Sequence, residues 1–125
     1  MPVDVQLADN STADIEQSHI ADWAEAVIRR MGDDPAAVAA CVRIVEAGES
    51  QKLNRDYRQQ DKPTNVLSFA ADVVVPDGEK ILGDIVICDP VVRQESRSQG
   101  KRVQDHYLHM VVHGMLHLYG YDHLD

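Results

Sequence analysis

Residues 65–88 read NVLSFAADVVVPDGEKILGDIVIC, with two β-favouring runs on either side of a Pro-Asp-Gly turn at positions 76–78. The first run extends from Asn65 to Ala71 and the second from Ile81 to Cys88. Branched and aromatic side chains favour extended backbone, whereas Pro-Asp-Gly favours a tight reversal of the chain. This stretch therefore predicts a β-hairpin.

Outside the hairpin, apolar and polar side chains alternate in two further segments. Val3 to Leu7 alternates, and so do the side chains between Val38 and Ile44. Such alternation is typical of strands with one buried face, so we predict a strand in each segment.

The remaining segments predict helices. The first has apolar side chains at helical spacing from Ile20 to Met31 and ends at Gly32. The others are predicted over residues 47–60, ended by Pro63; from Pro90 to about Gln99; and from Val103 to about Tyr119.

These elements predict one α+β domain over residues 1–125. About four strands would form a small mixed sheet, because hairpin and crossover connections coexist. Four or five helices would pack on this sheet, and the last helix carries most of the histidines.

Composition and charge limit the class of protein. The net charge is 12 − 21 = −9, which disfavours long-range attraction of a polyanion, although local phosphate contacts remain possible. Two cysteines exclude a disulfide framework, and the longest apolar run, residues 36–42, is far shorter than the roughly 20 residues of a membrane span. Residues 1–10 carry two aspartates and no Lys or Arg, unlike a secretory signal, so we expect a cytoplasmic protein with no membrane contact.

The most informative motif is HGMLHLYGYDH at residues 113–123. His113 and His117 are four residues apart, so on a helix both imidazoles lie on one face. Gly120 allows a positive φ, at which the chain can leave the helix and bring His123 back towards the same point. Three imidazoles with one open position are typical of a catalytic zinc site, so one Zn²⁺ per chain is predicted.

The same spacing occurs in zinc peptidases of the H-E-x-x-H-x-x-G-x-x-H type. Those enzymes need a glutamate after the first histidine as the general base, and here that position is Gly114. His109 extends the row of histidines, but a straight ladder of three would span about 12 Å, too far for one ion. We expect His109 to be structural or to support a ligand, and His106 and His19 to lie on the surface.

Four blocks together resemble the YbeY family of bacterial endoribonucleases: HGMLHLYGYDH (113–123), KPTNVLSF (62–69), LNRDYR (53–58) and LGDIVIC (82–88). The resemblance covers the chain from about residue 50 to its end at Asp125, whereas members of that family usually continue into another helix. It implies a metal-dependent, single-strand-specific RNase in ribosomal RNA maturation, particularly of the 16S rRNA 3′ end, and in ribosome quality control. The implied partners are single-stranded rRNA and the small ribosomal subunit, with no DNA.

The resemblance also implies roles for individual residues. His113, His117 and His123 would be the zinc ligands, and Arg58 would match the functional arginine of the family. A guanidinium fits phosphate, so we expect Arg58 to bind a non-bridging oxygen and stabilise the charge that develops there.

Other polar side chains are candidates on their chemistry alone. Asn65 and Ser68 could donate hydrogen bonds to substrate, although asparagine after Pro-Thr is also a common turn residue. Asp84 and Asp122 could each orient a zinc-bound imidazole, or could serve as strand-edge and turn residues.

Two other functions are compatible with the same residues. One is a zinc peptidase-like hydrolase, which would cleave proteins independently of Arg58. The other is a non-catalytic ribosome assembly factor with a structural zinc, which would unfold when the metal is chelated.

Overall fold

The computed structural model describes residues 3–8 and 15–121, apart from the side chain of Asp72. In chain order its elements are β1 (Val3–Leu7), α1 (Gln17–Arg30), a short 3₁₀ turn (Pro35–Ala37), β2 (Val38–Val45), α2 (Ala47–Arg58), β3 (Val66–Val74), β4 (Lys80–Cys88), α3 (Asp89–Gln99) and α4 (Val103–Leu118).

The four described strands form one mixed sheet in the order β1-β2-β4-β3. The β1/β2 and β2/β4 pairs are parallel, whereas β3 and β4 form the predicted antiparallel hairpin. The predicted α+β fold with a mixed sheet is therefore confirmed. β3 lies at one end of this order, so one of its edges has no strand partner among the described residues.

Helices cover the two faces of the sheet unequally. The larger core lies between one face and helices α1 and α4, and includes Val42, Ile44 and Ile85 of the sheet with Ile28 and Met115 of the helices. A smaller core lies on the opposite face under α2, and contains Val45, Leu67 and Val86 with Leu53 packed against them. Burying each such aliphatic side chain contributes about 1.5–3 kcal/mol, so the larger core dominates stability.

The end of α2 differs from the sequence prediction. The helix ends at Arg58, and Gln59 adopts a left-handed conformation with φ of 59°. Pro63 therefore does not end it. Two side chains of α2 instead hold the following loop: Asn54 Nδ2 donates to the carbonyl of Lys62 (2.9 Å), and Ser50 Oγ donates to that of Thr64 (2.9 Å).

Neither cysteine of the chain, Cys41 or Cys88, is in a disulfide. Among the described helices, none combines the length and the apolar character needed to cross a bilayer.

Candidate active site at the edge of the sheet

A cleft of about 360 Å³ lies beside β3, where the end of α2 approaches α4. It is lined by the first residues of β3 (Val66 to Phe69), by Tyr57 and Arg58 of α2, and by His113 and His117 of α4. Since α2 and α4 lie on opposite faces of the sheet, this edge strand is where their side chains can meet. The cleft therefore joins three of the four sequence blocks that carry the family resemblance.

His113 and His117 face this cleft together. Their rings are stacked, with centroids 4.5 Å apart and an angle of 20° between the planes. Both side chains are partly exposed. This is the shared helix face that the four-residue spacing predicts.

The turn after α4 has the geometry predicted from Gly120. Gly120 has φ of 95°, its N–H donates to the carbonyl of His117, and the N–H of Tyr121 donates to that of Leu116. These two bonds form a Schellman motif, which ends the helix and redirects the chain. His123 and Asp122, the predicted third ligand and its partner, lie outside the described residues.

No three His, Cys, Asp or Glu side chains within residues 3–8 and 15–121 are grouped as a metal site. The described part of the chain thus provides two of the three predicted ligands. Two imidazoles one helical turn apart fit a divalent cation that prefers nitrogen donors.

Gly114 explains why the peptidase pattern does not apply to this helix. The residue is buried, and a Cβ placed on it would lie 2.9 Å from Cγ2 of Ile85. The position that carries the glutamate of a peptidase therefore points into the sheet rather than into the cleft. A glutamate here would have no room and no access to a substrate.

His109 and His106 differ in their surroundings. His109 is exposed, and its ring centroid lies 6.4 Å from that of His113, outside the cleft lining. His106 was expected on the surface, and this expectation is wrong: its side chain is buried, and its Nε2 lies 2.8 Å from a carboxylate oxygen of Glu95. Its position on α4 faces α3, which the sequence pattern of the histidines alone does not reveal.

Arg58 lies at the mouth of the cleft. Its side chain is exposed and has no hydrogen-bond or ion-pair partner among the described residues, whereas Arg55, one turn earlier, lies 3.5 Å from Asp56. An arginine without a protein partner retains its donors for a ligand. One cleft is thus lined both by two imidazoles and by a guanidinium that has no partner among the described residues.

Of the two predicted polar contacts with substrate, only Ser68 lines the cleft. Its Oγ lies 3.4 Å from the carbonyl oxygen of Gly114, a long contact that leaves the hydroxyl free to reorient. Asn65 is engaged within the protein: its Nδ2 donates to Glu95 (3.1 Å) and its Oδ1 accepts from the N–H of Val66 (2.7 Å). It starts β3 rather than facing the cleft, so the prediction that it binds substrate is corrected to a structural role.

The prediction that Asp84 orients a zinc-bound imidazole is also corrected for the imidazoles of α4. In the sheet it pairs with Phe69 on one side and Cys41 on the other, and its side chain is exposed. Its neighbour Ile85 contacts α4, so Asp84 points to the opposite face. It therefore cannot orient an imidazole of α4.

Sequence reasoning missed the polar side chains that position the cleft. Ser50 and Asn54 are buried on α2, and Glu95 links Asn65 to His106. The spacing of Ser50 and Asn54, four residues apart on one face of α2, was the only sequence feature that pointed to them. Spacing alone does not distinguish buried from solvated polar residues.

Known proteins match the chain over almost its whole length. Residues 6–125 match the family described as Endoribonuclease YbeY. The solution structure of TM1509 from Thermotoga maritima is similar, with a TM-score of 0.61 and 27% sequence identity over 97% of this chain and 74% of that chain. The family match includes every element that lines the cleft, and it confirms the resemblance seen in the four sequence blocks. The chain belongs to the endoribonuclease YbeY family.

Proposed function

We propose that this protein is a single-strand-specific, zinc-dependent endoribonuclease that acts in rRNA maturation, at the 16S rRNA 3′ end, and in ribosome quality control. Membership of the family supports cleavage of RNA in general. The observation that carries the specific proposal is the cleft beside β3, which brings Arg58 together with His113 and His117.

The metal would be held by His113, His117 and His123. The stacked pair on α4 and the glycine turn that follows it fit three imidazole donors, and the nearby residues include no thiolate ligand that would close the site. When bound, zinc would supply a Lewis acid that polarises a phosphate and lowers the pKa of water towards about 7.

The side chains of the protein then have distinct tasks. Arg58 binds non-bridging oxygens of the scissile phosphate in the cleft and stabilises the charge that develops on them in the transition state. Ser68 donates its hydroxyl hydrogen to a ribose or phosphate oxygen within the cleft. Gly114 contributes by its small size, because it lets α4 approach the sheet closely enough to bring His113 beside β3.

The charge of the protein favours recognition in a ribosomal context. A net charge of −9 opposes binding to bare RNA, and few basic side chains line the cleft. We therefore propose the small ribosomal subunit as the partner that presents the single-stranded substrate.

The test compares His117→Ala with His109→Ala, two identical changes on the same helix. After zinc loading and gel filtration, metal content is measured by mass spectrometry, and cleavage is measured on a labelled single-stranded RNA. We expect His117→Ala to lose both zinc and cleavage, and His109→Ala to retain both. Equal zinc content in the two variants would contradict the assigned ligands, and proteolysis without RNA cleavage would favour a peptidase.

A further inference from the structure

A second groove, of about 480 Å³, adjoins the cleft on the α2 side of the sheet. Tyr57 and Phe69 line both cavities, so the two are continuous around the end of β3. The floor of the groove includes Asp84 and Arg43, which project from β4 and β2. Of the described residues proposed for the catalytic site, His113, His117 and Arg58 do not line it.

Tyr57 forms an exposed aromatic wall between the two cavities. Its side chain is 68% exposed although it precedes Arg58 directly, and its hydroxyl has no hydrogen-bond partner among the described residues. Its ring meets that of Phe69 edge to face, with centroids 5.3 Å apart and an interplanar angle of 73°. The ring of Phe69 thus holds the ring of Tyr57 in place, while one face of the Tyr57 ring remains available for stacking.

The charge of the groove disfavours phosphate. Arg43 is paired with Glu49, with Nε 3.1 Å from Oε2, so its charge is largely compensated within the groove. Asp84 has no hydrogen-bond or ion-pair partner among the described residues and is exposed. An ionised carboxylate only accepts hydrogen bonds, so it suits a ligand edge that carries N–H groups.

A nucleobase has both features that this groove would recognise. Its ring stacks on an aromatic side chain, and its edge carries hydrogen-bond donors. Guanine presents two adjacent N–H donors to a carboxylate, cytosine and adenine present one amino group, and uracil presents a single N–H between two carbonyl oxygens.

We propose that this groove binds the base of a nucleotide adjacent to the phosphate held by Arg58, and that it prefers guanine. Tyr57 stacks on the base, and Asp84 accepts hydrogen bonds from its N–H groups. Because the base must leave any helix to enter the groove, the site accounts for a preference for single strands. This inference rests on the proposed endoribonuclease function.

The test measures binding of two fluorescent single-stranded RNAs to the full chain by anisotropy, with EDTA present to prevent cleavage. One is a uridine decamer, and the other contains one central guanosine. We expect the wild type to bind the guanosine-containing RNA at least fivefold more tightly. Tyr57→Leu should weaken binding of both RNAs about tenfold, and Tyr57→Phe should restore it.

Asp84→Asn tests the hydrogen bonds separately, because it retains the size of the side chain and removes its charge. We expect this variant to lose the preference for guanosine, whereas Asp22→Asn, at an exposed site on α1, should keep it. Wild-type RNA cleavage combined with unchanged binding in Tyr57→Leu and Asp84→Asn would overturn this inference and leave the proposed function standing. No binding and no cleavage by the wild type would overturn both.

Discussion

Gly114 lets α4 lie close to the sheet at Ile85. A Cβ at this position would lie 2.9 and 3.0 Å from two carbons of Ile85, which is fully buried and has little freedom to move. This close approach places the neighbouring His113 in the cleft. The peptidase motif has a glutamate, the general base, where this chain has Gly114. The two motifs therefore differ in more than this base, because the glycine also determines how closely the helix lies to the sheet.

We expect Gly114→Ala to lower the free energy of unfolding by up to about 2 kcal/mol. Overpacking costs about 1–3 kcal/mol, and the higher helix propensity of alanine returns up to about 1 kcal/mol. Gly48→Ala on α2 is the matched control, because a Cβ there meets nothing within 4 Å and should cause no loss. Urea unfolding of both variants measures the difference, and equal stability would contradict the packing described here.

The predictions for individual residues succeeded where a local rule determines the conformation. Gly120 could be predicted to end α4, because a positive φ after a helix favours glycine. Asp84 could not be assigned to a face, since β4 is buried on both sides and its apolar residues do not alternate. His106 was misplaced because its burial depends on packing against Glu95 of α3, a contact between two helices that the pattern within α4 does not show.

At the scale of elements, a partly buried polar network connects α3, α4 and the start of β3. Glu95 of α3 accepts hydrogen bonds from Asn65 (3.1 Å) and contacts His106 of α4 (2.8 Å). The network fixes the strand that lines the cleft relative to the helix that carries His113 and His117. It therefore positions the site without touching a substrate.

We expect Glu95→Ala to destabilise the protein by about 2 kcal/mol. The change leaves the buried His106 and the half-buried Nδ2 of Asn65 without this partner, and an unsatisfied buried group costs about 1–3 kcal/mol. Glu16→Ala serves as a control, since this exposed N-cap residue makes no side-chain capping bond. The two variants are compared by urea unfolding, and a loss under about 0.5 kcal/mol for Glu95→Ala would show that the network is not structural.

A second buried contact between α3 and α4 predicts how stability depends on pH. Tyr107 is fully buried and donates its hydroxyl hydrogen to Asp89, which also accepts from Arg93. Burial, and then the carboxylate of Asp89, raise the pKa of Tyr107. Its proton is therefore retained in the folded state at a pH where the unfolded chain, with a tyrosine pKa of about 10, has lost it.

The contribution of the Tyr107 proton to the free energy of unfolding is fully present below about pH 10 and is lost as the pH rises further. We expect the free energy of unfolding to fall by up to about 1.4 kcal/mol per pH unit above pH 10 on account of Tyr107. Tyr107→Phe should be less stable at pH 7, because the hydrogen bond is absent, and should lose less between pH 10 and 11.5. Parallel pH profiles for the two proteins would be inconsistent with this raised pKa.

The elements themselves were largely predictable, and their ends were less so. The hairpin, the strands β1 and β2 and the four described helices follow from apolar periodicity and turn residues. The end of α2 depends on a left-handed Gln59 and on the bonds from Ser50 and Asn54 to the next loop, which no local pattern predicts. Since Arg58 is the last residue of α2, these bonds also determine where the guanidinium lies.

At the scale of the whole molecule, the packed cores do not involve the histidines of the cleft. Two clusters of apolar side chains join all the described strands to α1, α2, α3 and α4. The fold therefore has a source of stability independent of a metal ion. Such a core is what the proposed catalytic role of zinc requires, because a structural ion would be needed to hold the domain together.

We expect chelation with EDTA to abolish RNA cleavage and to leave the far-ultraviolet circular dichroism spectrum of the protein unchanged at 25 °C. A catalytic ion contributes by mass action only a small part of the folding energy, whereas a structural ion holds its domain together. Addition of zinc should restore cleavage. Unfolding on chelation would instead favour the assembly factor with a structural zinc.

The central claim is that Arg58 acts on the RNA phosphate in the cleft beside β3. Its most direct test is cleavage of one single-stranded RNA by zinc-loaded wild type, Arg58→Ala and Arg55→Ala, with equal zinc content confirmed in all three. We predict that Arg58→Ala loses about 10²–10³-fold in rate, as expected for removal of a transition-state donor, and that Arg55→Ala stays near wild type. Equal cleavage by Arg58→Ala and the wild type would contradict the claim.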